Sequence, residues 1–268
     1  FIQEQGAVAG IQLAHAGRKA SQQIPWEGSG QISSSAPGGW KTLGPTDAPF
    51  SPDQEAPEAL DLEGIKKVID DFRAAAIRAE KAGYQVLEIH AAHGYLIHEF
   101  LSPLCNRRSD QYGGSFENRI RFLLEIIEAV KTVWPATLPL FVRISASDWT
   151  PGGWDENDSS ELAKILITKG IDLIDCSSGR IIPDVKIPAG LGYQVPFAEI
   201  VKKETGMMTA AVGLIVSAEQ AETILENDQA DLIFLAREFL RDPYFPLHAA
   251  KALDAEIAWP KQYERAKR

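Results

Sequence analysis

The stretch KAGYQVLEIH, residues 81–90, contains the pattern that decides the fold. It starts at the end of an amphipathic helical pattern, passes through Gly83 and finishes in a short apolar run. The same succession returns in KGIDLIDC, residues 169–176. Glycine commonly follows a helix because it adopts the left-handed backbone conformation without strain. Regular alternation of helices with short apolar strands predicts a parallel sheet that is buried on both faces.

The alternation continues on both sides of this stretch. Apolar residues at helical spacing, bounded by capping residues, glycine or proline, predict five helices. These helices cover residues 61–82, 115–135, 161–169, 196–205 and 217–226. Short apolar runs predict six strands, at residues 11–13, 86–90, 140–145, 171–176, 208–212 and 231–235.

A doubly wound open sheet and a closed (β/α)8 barrel, the TIM barrel, both fit this alternation. No Gly-x-Gly-x-x-Gly turn follows a strand, which weakens the dinucleotide-binding version of the open sheet. Polar residues instead recur at the C-terminal ends of strands, where the loops of a barrel converge on one face. They are Gln12, His15, His90, His93, Arg143, Ser177, Gly213 and Arg237. We therefore predict an α/β fold with a single TIM-barrel domain over residues 1–268.

The number of strands qualifies this prediction. A TIM barrel has eight strands, and the sequence shows only about six. At roughly 40 residues for each strand-helix unit, about 80 to 90 residues with two more strands are expected before Phe1. An N-terminally incomplete barrel is therefore the expectation. The long segment 21–58, rich in Ser, Gly and Pro, is expected to cover the active face, with a plain surface excursion as the alternative.

Composition excludes several function classes. The 268 residues are 45% hydrophobic, enough for a substantial core, and carry a formal net charge of −10. This charge disfavours a nucleic-acid partner, because phosphate binding needs clustered Lys and Arg. No apolar run approaches the roughly 20 residues of a membrane span, and no signal peptide is visible. Two cysteines make no disulfide framework, so a reducing cytoplasm is the expected location.

His90, His93 and Tyr95 form the most informative chemical pattern. His90 ends a predicted strand, and the other two residues follow in the next turn. Two imidazoles so placed can donate hydrogen bonds to one carbonyl oxygen, and a nearby phenol can supply a proton. A metal site is an alternative, although no third ligand is nearby in the sequence. A pair of structural histidines with satisfied hydrogen bonds is the other alternative.

Two further features indicate where an anionic ligand could bind. Arg143 lies inside an apolar strand and therefore needs an anionic partner, which could be Glu88, Asp175 or a ligand. Loops after the last two strands of a TIM barrel commonly bind phosphate through backbone N–H groups. Those loops contain Gly213 and Leu214, then Ala236 and Arg237. A phosphate site is therefore predicted between them, with Gly213 allowing close approach.

The run EIHAAHGYLIHEFLSP, residues 88–103, followed by NRR at 106–108 and DQYGGSFENR at 110–119, resembles the signature block of the old yellow enzyme family. It is most similar to the thermophilic-like bacterial subclass. The likeness runs from QLAHAGR at 12–18 to QYER at 262–265, which is nearly the whole chain. The resemblance implies a TIM barrel that binds FMN and is reduced by NADPH or NADH.

The resemblance also implies an activity and a set of roles. The activity is reduction of the C=C bond of an α,β-unsaturated carbonyl compound, such as an enone or enal, by two hydride transfers. His90 and His93 correspond to the residues that hold the carbonyl oxygen, and Tyr95 to the proton donor. Gln12 and Arg143 correspond to residues at the flavin edge. The usual Gly-Arg of the phosphate loop is Ala236-Arg237 here, whose extra methyl group needs room.

Two further positions correspond to substrate-binding residues. Lys19 matches a lysine near the substrate side of the flavin, and a solvated loop lysine is the alternative. Arg265 matches a C-terminal arginine that reaches a neighbouring subunit, so a homodimer or homotetramer is expected; simple solvation is the alternative. Cys105 does not correspond to the subclass's flavin-tuning cysteine, which would precede Phe1. Two rival functions remain: a dienoyl-CoA reductase-like flavoenzyme, and a catalytically inactive barrel fragment that serves as a scaffold.

Overall fold

A computed structural model describes residues 1–28 and 30–267. The strands are β1 (Gly10–Leu13), β2 (Leu43–Gly44), β3 (Glu58–Ala59), β4 (Val86–Ala91), β5 (Leu140–Ser145), β6 (Leu173–Ser177), β7 (Thr209–Val212) and β8 (Leu232–Phe234). The helices are α1 (Leu62–Lys81), α2 (Leu96–Leu101), α3 (Phe116–Lys131), α4 (Glu156–Thr168), α5 (Val195–Thr205), α6 (Ala218–Glu226), α7 (Arg237–Arg241) and α8 (Phe245–Ala252). Short 3-10 helices are Gln3–Gln5, Gly17–Lys19 and Glu264–Ala266.

The main sheet is parallel and curled, and its six strands follow one another in chain order: β1, β4, β5, β6, β7 and β8. Every one of its strand pairs is parallel, and a helix lies in the chain between each strand and the next. This is the α/β alternation predicted from residues 81–90 and 169–176. Within the described residues the sheet has six strands, in agreement with the six predicted from the sequence.

Side chains on the strands divide the sheet into an apolar and a polar face. Apolar strand residues join the helices in one core: Leu87, Ile89, Ala91, Val142, Ile144, Ile174 and Cys176. The alternate positions carry polar groups: Glu88, His90, Arg143, Ser145, Asp175 and Ser177. Successive side chains of a strand point to opposite faces, so these polar groups share the face turned away from the helices. The strands therefore bring chemically active side chains to one surface.

The helix boundaries follow their capping residues. Asp61, Ser115 and Ser217 each accept a backbone N–H in the first turn of α1, α3 and α6, as the sequence indicates. The start predicted for α4 is wrong by five residues. Asp155 forms a capping box with Asp158, so the helix begins at Glu156 in a polar first turn that the apolar pattern does not reveal.

Other differences have similar causes. Helix α3 ends at Lys131, one turn before Pro135. Helix α2 has all six residues buried, so it lacks the apolar-polar alternation by which a helix is recognised in sequence. Helices α7 and α8 were also not predicted. The long segment 21–58, described apart from residue 29, contains strand β2 and reaches the first residue of β3, with Trp26 and Trp40 exposed.

Candidate active site

Strand β4 and the turn after it place His90 and His93 side by side. His90 is buried on the polar face of the sheet, while His93 lies in the turn with a φ of 60°. This left-handed conformation turns the His93 ring back toward His90. His90 Nε2 and His93 Nδ1 lie 3.2 Å apart, and their rings meet edge-on with centroids 4.9 Å apart. The structure therefore brings together the two imidazoles predicted from sequence.

Hydrogen bonds fix both rings at their outer nitrogens. The Ala92 N–H donates to His90 Nδ1 at 3.0 Å. His93 Nε2 lies 2.8 Å from Ser177 Oγ at the end of β6, and the His93 N–H donates to Ser145 Oγ at 2.9 Å. The two serines are register partners on β6 and β5, so the sheet itself positions them beneath the turn.

Both histidines are held in the neutral form. Burial, helped by the charge of the nearby Arg143 guanidinium, lowers the pKa of His90 to about 4 and that of His93 to about 2. No carboxylate in the described residues contacts either ring. Neutral imidazole carries one N–H donor and one acceptor nitrogen, so the pair can donate a hydrogen bond without carrying charge.

Tyr95 joins the histidines at the start of helix α2. Its ring centroid lies 4.9 Å from that of His90, and the two rings are tilted by 35°. The residue is half-buried, so its phenol lies at the rim of the polar face. Lys19 also lies beside the histidine pair, because its Nζ donates a hydrogen bond to the His93 carbonyl oxygen at 2.8 Å. Burial lowers the pKa of Lys19 to about 8, and the ammonium lies 4.4 Å from the Phe50 ring centre.

A third histidine, His98, holds the turn through a hydrogen bond to its backbone. His98 in α2 is fully buried; its Nδ1 accepts the Gly94 N–H, and its Nε2 lies 2.8 Å from Asp148 Oδ1. Ser102 Oγ and the Trp154 N–H also donate to this carboxylate. Gly94 has a φ of 69°, and a Cβ there would meet the Arg180 carbonyl oxygen at 2.5 Å. Only glycine fits this turn without displacement.

The half-buried Arg143 guanidinium lies beside the buried carboxyl group of Asp175. Its Nε lies 3.0 Å from Asp175 Oδ2, at an angle unsuited to a hydrogen bond. Of the two carboxylates considered from sequence, Asp175 makes this contact, while Glu88 accepts from Gln12 Nε2 at 2.6 Å. Burial raises the pKa of Asp175 to about 7 and raises that of Glu88 as well, although Arg143 opposes both shifts. The Arg143 guanidinium therefore favours the charged form of both buried carboxyl groups, although it contacts only Asp175.

The four residues of the predicted phosphate site line one small cleft between β7 and β8. Gly213 and Leu214 have φ values of 121° and 52°, and Ala236 and Arg237 begin the facing loop and helix. Within the described part of the chain Arg237 makes no ion pair, so its cation remains available to an anion. A basic side chain beside tight backbone turns suits a phosphate group. The neighbouring Gln194 ties the ends of β6 and β7 together through Ser178 and the Val212 carbonyl.

Arg265 and the metal-site alternative are not associated with the histidine pair in the described residues. Arg265 lies exposed in the 3-10 helix Glu264–Ala266, and the structure does not bring it to the histidine pair through any described hydrogen bond or ion pair. Residues 1–28 and 30–267 contain no group of three His, Cys, Asp or Glu side chains suited to a metal ion. In the same residues the helices are too short or too polar to cross a bilayer.

Sequence reasoning missed Ser145, Asp148 and Gln194 and did not assign Ser177 to the site. Ser177 was visible as a polar residue at a strand end, which was the available signal. Asp148 lies just beyond the end of β5, and Gln194 immediately precedes α5, so both are buried in loops. Asp148 is 50 residues from its partner His98, and Gln194 is 16 residues from its partner Ser178, so no local pattern reveals these contacts.

Comparison with known proteins decides the family. Residues 1–256 match the model of the NADH:flavin oxidoreductase / NADH oxidase family. The chain belongs to this family. It is 50% identical over 265 residues to an NADPH dehydrogenase of Geobacillus thermodenitrificans, covering 99% of this chain and 72% of the relative. An NADPH dehydrogenase of Bacillus subtilis is 50% identical over 264 residues, with 98% and 72% covered.

Solved structures that resemble this chain agree with the sequence matches. Morphinone reductase in complex with tetrahydroNAD superposes with a TM-score of 0.73 at 27% identity, covering 97% of this chain and 69% of the neighbour. A 2-naphthoyl-CoA reductase complex gives 0.81 at 26% identity, covering 94% and 39%. The resemblance to the old yellow enzyme family is thus confirmed. The family member described here is an FMN-dependent NAD(P)H oxidoreductase of the ene-reductase type.

Proposed function

We propose that this flavoenzyme reduces the C=C bond of small α,β-unsaturated carbonyl compounds, with His90 and His93 binding the carbonyl oxygen. The observation that carries this assignment is the 3.2 Å approach of His90 Nε2 to His93 Nδ1 on the polar face of the sheet. Both rings are neutral, and no carboxylate competes for them within the described residues. FMN, reduced by NADPH or NADH, supplies the hydride chemistry when it is bound.

The histidine pair acts by stabilising charge that develops on the substrate. An enone accepts hydride at its β-carbon, and the carbonyl oxygen then takes up negative charge. Hydrogen bonds from His90 and His93 strengthen as that charge grows, so they stabilise the transition state more than the bound substrate. Tyr95 then donates the phenol proton to the α-carbon, a role supported by its position at the rim beside His90.

The remaining predicted residues hold the cofactor and the substrate. Arg143 extends its guanidinium beyond the Asp175 contact, since its Nη2 also reaches Ser177 Oγ at 3.4 Å. We assign this guanidinium and Gln12 to the flavin edge. The cleft formed by Gly213, Leu214, Ala236 and Arg237 takes the FMN phosphate. Lys19 contributes to the substrate side of the site.

The proposal also includes the setting in which the site works. A complete (β/α)8 TIM barrel would close around the polar face of the curled sheet, and the segment 21–58 would cover its active face. Residues 48–50 support that placement, because Arg18 donates to the carbonyl oxygens of Ala48 and Pro49. We further propose a cytoplasmic homodimer or homotetramer in which Arg265 reaches a neighbouring subunit.

Ligand binding tests the assignment of the histidine pair. We expect the FMN-loaded protein to give a long-wavelength charge-transfer band when 4-chlorophenol is added, because the phenolate oxygen occupies the carbonyl position. Replacing both His90 and His93 with Ala should abolish the band, while His248→Ala, at an exposed histidine, should leave it unchanged. A band that survives the double substitution would refute the assignment.

Turnover tests the activity itself. We expect NADPH to bleach the yellow FMN-loaded protein and 2-cyclohexenone to restore its colour. Flavin that is reduced by NADPH but is not reoxidised by any enone would contradict the proposed substrate class. A protein that cannot be loaded with FMN would instead favour the alternative of a catalytically inactive barrel fragment.

A further inference from the structure

Ser177 is a buried hydroxyl that the proposed reaction does not yet use. It is the last residue of β6 and is only 2% exposed. Its Oγ lies 2.8 Å from His93 Nε2 and 3.4 Å from Arg143 Nη2. A hydroxyl has one proton to donate and two lone pairs to accept with, so its orientation decides what His93 receives.

The hydrogen bonds fix the tautomer of His90. The Ala92 N–H donates to His90 Nδ1, which therefore carries no proton. A neutral ring then has its proton on Nε2, the atom that faces His93. His90 is thus already arranged to donate toward the position of a ligand oxygen.

The tautomer of His93 is not fixed in the same way. When His90 Nε2–H donates to His93 Nδ1 across 3.2 Å, the His93 proton must be on Nε2, and Ser177 accepts it. In that arrangement only His90 could donate to a ligand. For both rings to donate to one oxygen, the His93 proton must be on Nδ1, and Nε2 must then accept a hydrogen bond.

Ser177 is able to supply that hydrogen bond. Arg143 is always a donor and a cation, so it favours the orientation in which the Ser177 oxygen faces the guanidinium and the hydroxyl proton points away. Among the described residues, His93 Nε2 is the other side-chain atom within hydrogen-bonding distance of the Ser177 hydroxyl, at 2.8 Å. The Arg143 charge therefore favours a Ser177 hydroxyl that donates to His93.

We propose that Ser177 is a positioning residue that selects the tautomer of His93, placing its proton on Nδ1 when a carbonyl or phenolate oxygen binds between the two histidines. The inference rests on the proposed function of the pair. The exchange leaves the net charge unchanged, because Nε2 releases one proton to water and Nδ1 takes one up. The ligand oxygen then separates two N–H groups that would otherwise point at each other.

The neutrality of the rings makes the tautomer the relevant variable. Burial and the Arg143 charge hold the pKa of both histidines far below neutrality, so neither ring gains its second N–H by protonation. Without a hydrogen bond from Ser177 to Nε2, the Nδ1–H tautomer of His93 loses the interaction that stabilises it. Substrate binding would then rely on one donor instead of two.

Nitrogen-15 NMR of histidine-labelled, FMN-loaded protein tests this directly, because Nδ1–H and Nε2–H tautomers have different shifts. The sequence contains five histidines, so single substitutions can assign every signal. On adding 4-chlorophenol we expect His93 to become the Nδ1–H tautomer in the wild type and in Ser177→Thr, which retains the hydroxyl. In Ser177→Ala we expect it to remain Nε2–H, with phenol affinity about tenfold weaker.

A double substitution separates tautomer selection from simple packing. An Asn side chain always carries an N–H donor, whichever way it is hydrogen-bonded. We therefore expect Ser177→Ala to cost about tenfold in phenol affinity beside His93 but less than twofold in the His93→Asn background. An equal loss in both backgrounds would overturn the inference.

The experiment also distinguishes this inference from the proposed function. If phenol shifts the His90 and His93 signals and the His93 tautomer is the same in Ser177→Ala as in the wild type, the inference fails and the proposed function stands. If phenol binds and shifts neither histidine, both fail together.

Discussion

His93 and His98 lie five residues apart in the sequence, but one pairs with a hydroxyl and the other with a carboxylate. His93 Nε2 meets Ser177 Oγ at 2.8 Å, whereas His98 Nε2 meets Asp148 Oδ1 at the same distance. A carboxylate only accepts hydrogen bonds, so it fixes the proton on His98 Nε2. A hydroxyl both donates and accepts, so it leaves the His93 tautomer free to change. The difference separates a fixed structural histidine from an adaptable one.

The two histidines are connected through the turn between them. His98 Nδ1 accepts the N–H of Gly94, the residue directly after His93. Asp148 fixes the tautomer that allows this, so the carboxylate indirectly holds the backbone that orients the His93 ring. Burial alone would raise the pKa of Asp148, but the pKa lies below its usual value because His98, Ser102 and the Trp154 N–H stabilise the charged form.

Breaking the fixed pair should have the largest effect. Replacing His98 with Ala leaves Asp148 buried without its imidazole donor, and we expect the free energy of unfolding to fall by about 3–5 kcal/mol. The Gly94 turn also loses its acceptor, so phenol affinity should fall as well. Chemical denaturation and phenol titration of the same variant measure both effects.

His248 provides the matched control. It also pairs with an aspartate, Asp242 at 2.7 Å, but its side chain is 62% exposed. Exposed ion pairs contribute little, so His248→Ala should change the free energy of unfolding by less than about 1 kcal/mol. Equal losses in the His98 and His248 variants would show that burial does not distinguish the two pairs.

The sequence predicted the regular parts of the fold because those parts follow local rules. The strand at 140–145 has the predicted bounds. Ser115 and Ser217, where two predicted helices begin, cap α3 and α6. The short apolar run at residues 86–90 likewise placed His90 at a strand end, and β4 ends one residue later, at Ala91. Capping and apolar periodicity act over a few residues, which is the range that a single sequence reveals.

The contacts that make the site depend on longer distances. His93 and Ser177 are 84 residues apart, and His98 and Asp148 are 50 apart. Such pairs are set by the register of β4, β5 and β6 and by loop packing, which no local pattern specifies. The resemblance to a known family supplied candidate roles for the histidines, but it did not show the hydroxyl and carboxylate that position them.

Glu99 is the neighbour of His98 in α2, but among the described residues it has no partner comparable to Asp148. Its carboxyl group is fully buried; Oε1 accepts the Arg18 N–H, and Oε2 has no partner among the described residues. Burial raises the pKa of Glu99 to about 8, against the nearby Arg18 and Lys19 charges. The folded protein therefore holds a proton that the unfolded chain loses at lower pH.

This difference predicts the direction of a pH effect. Between the unfolded pKa of Glu99 and about 8, the folded state binds more protons, so stability is greatest at low pH and falls as pH rises. Glu99→Gln cannot titrate and should remove the Glu99 contribution to that slope, at most about 1.4 kcal/mol per pH unit, while the contribution of Asp175, whose pKa is also raised, remains. Unfolding curves from pH 5 to 7.5 measure it. Glu63→Gln, at an exposed position, should retain the wild-type slope.

Ser102 allows the smallest and most selective change to the fixed pair. Its hydroxyl donates to Asp148 Oδ2 at 2.6 Å, while His98 and the Trp154 N–H continue to hold the carboxylate. Ser102→Ala should therefore cost only about 1.5–2 kcal/mol in the free energy of unfolding. Because none of the hydrogen bonds of Ser102 in the described residues reaches Gly94, phenol affinity should stay within about twofold of the wild type, unlike in His98→Ala. A large loss of phenol affinity in Ser102→Ala would mean that the Asp148 carboxylate, and not the His98 hydrogen bond to Gly94, controls the orientation of His93.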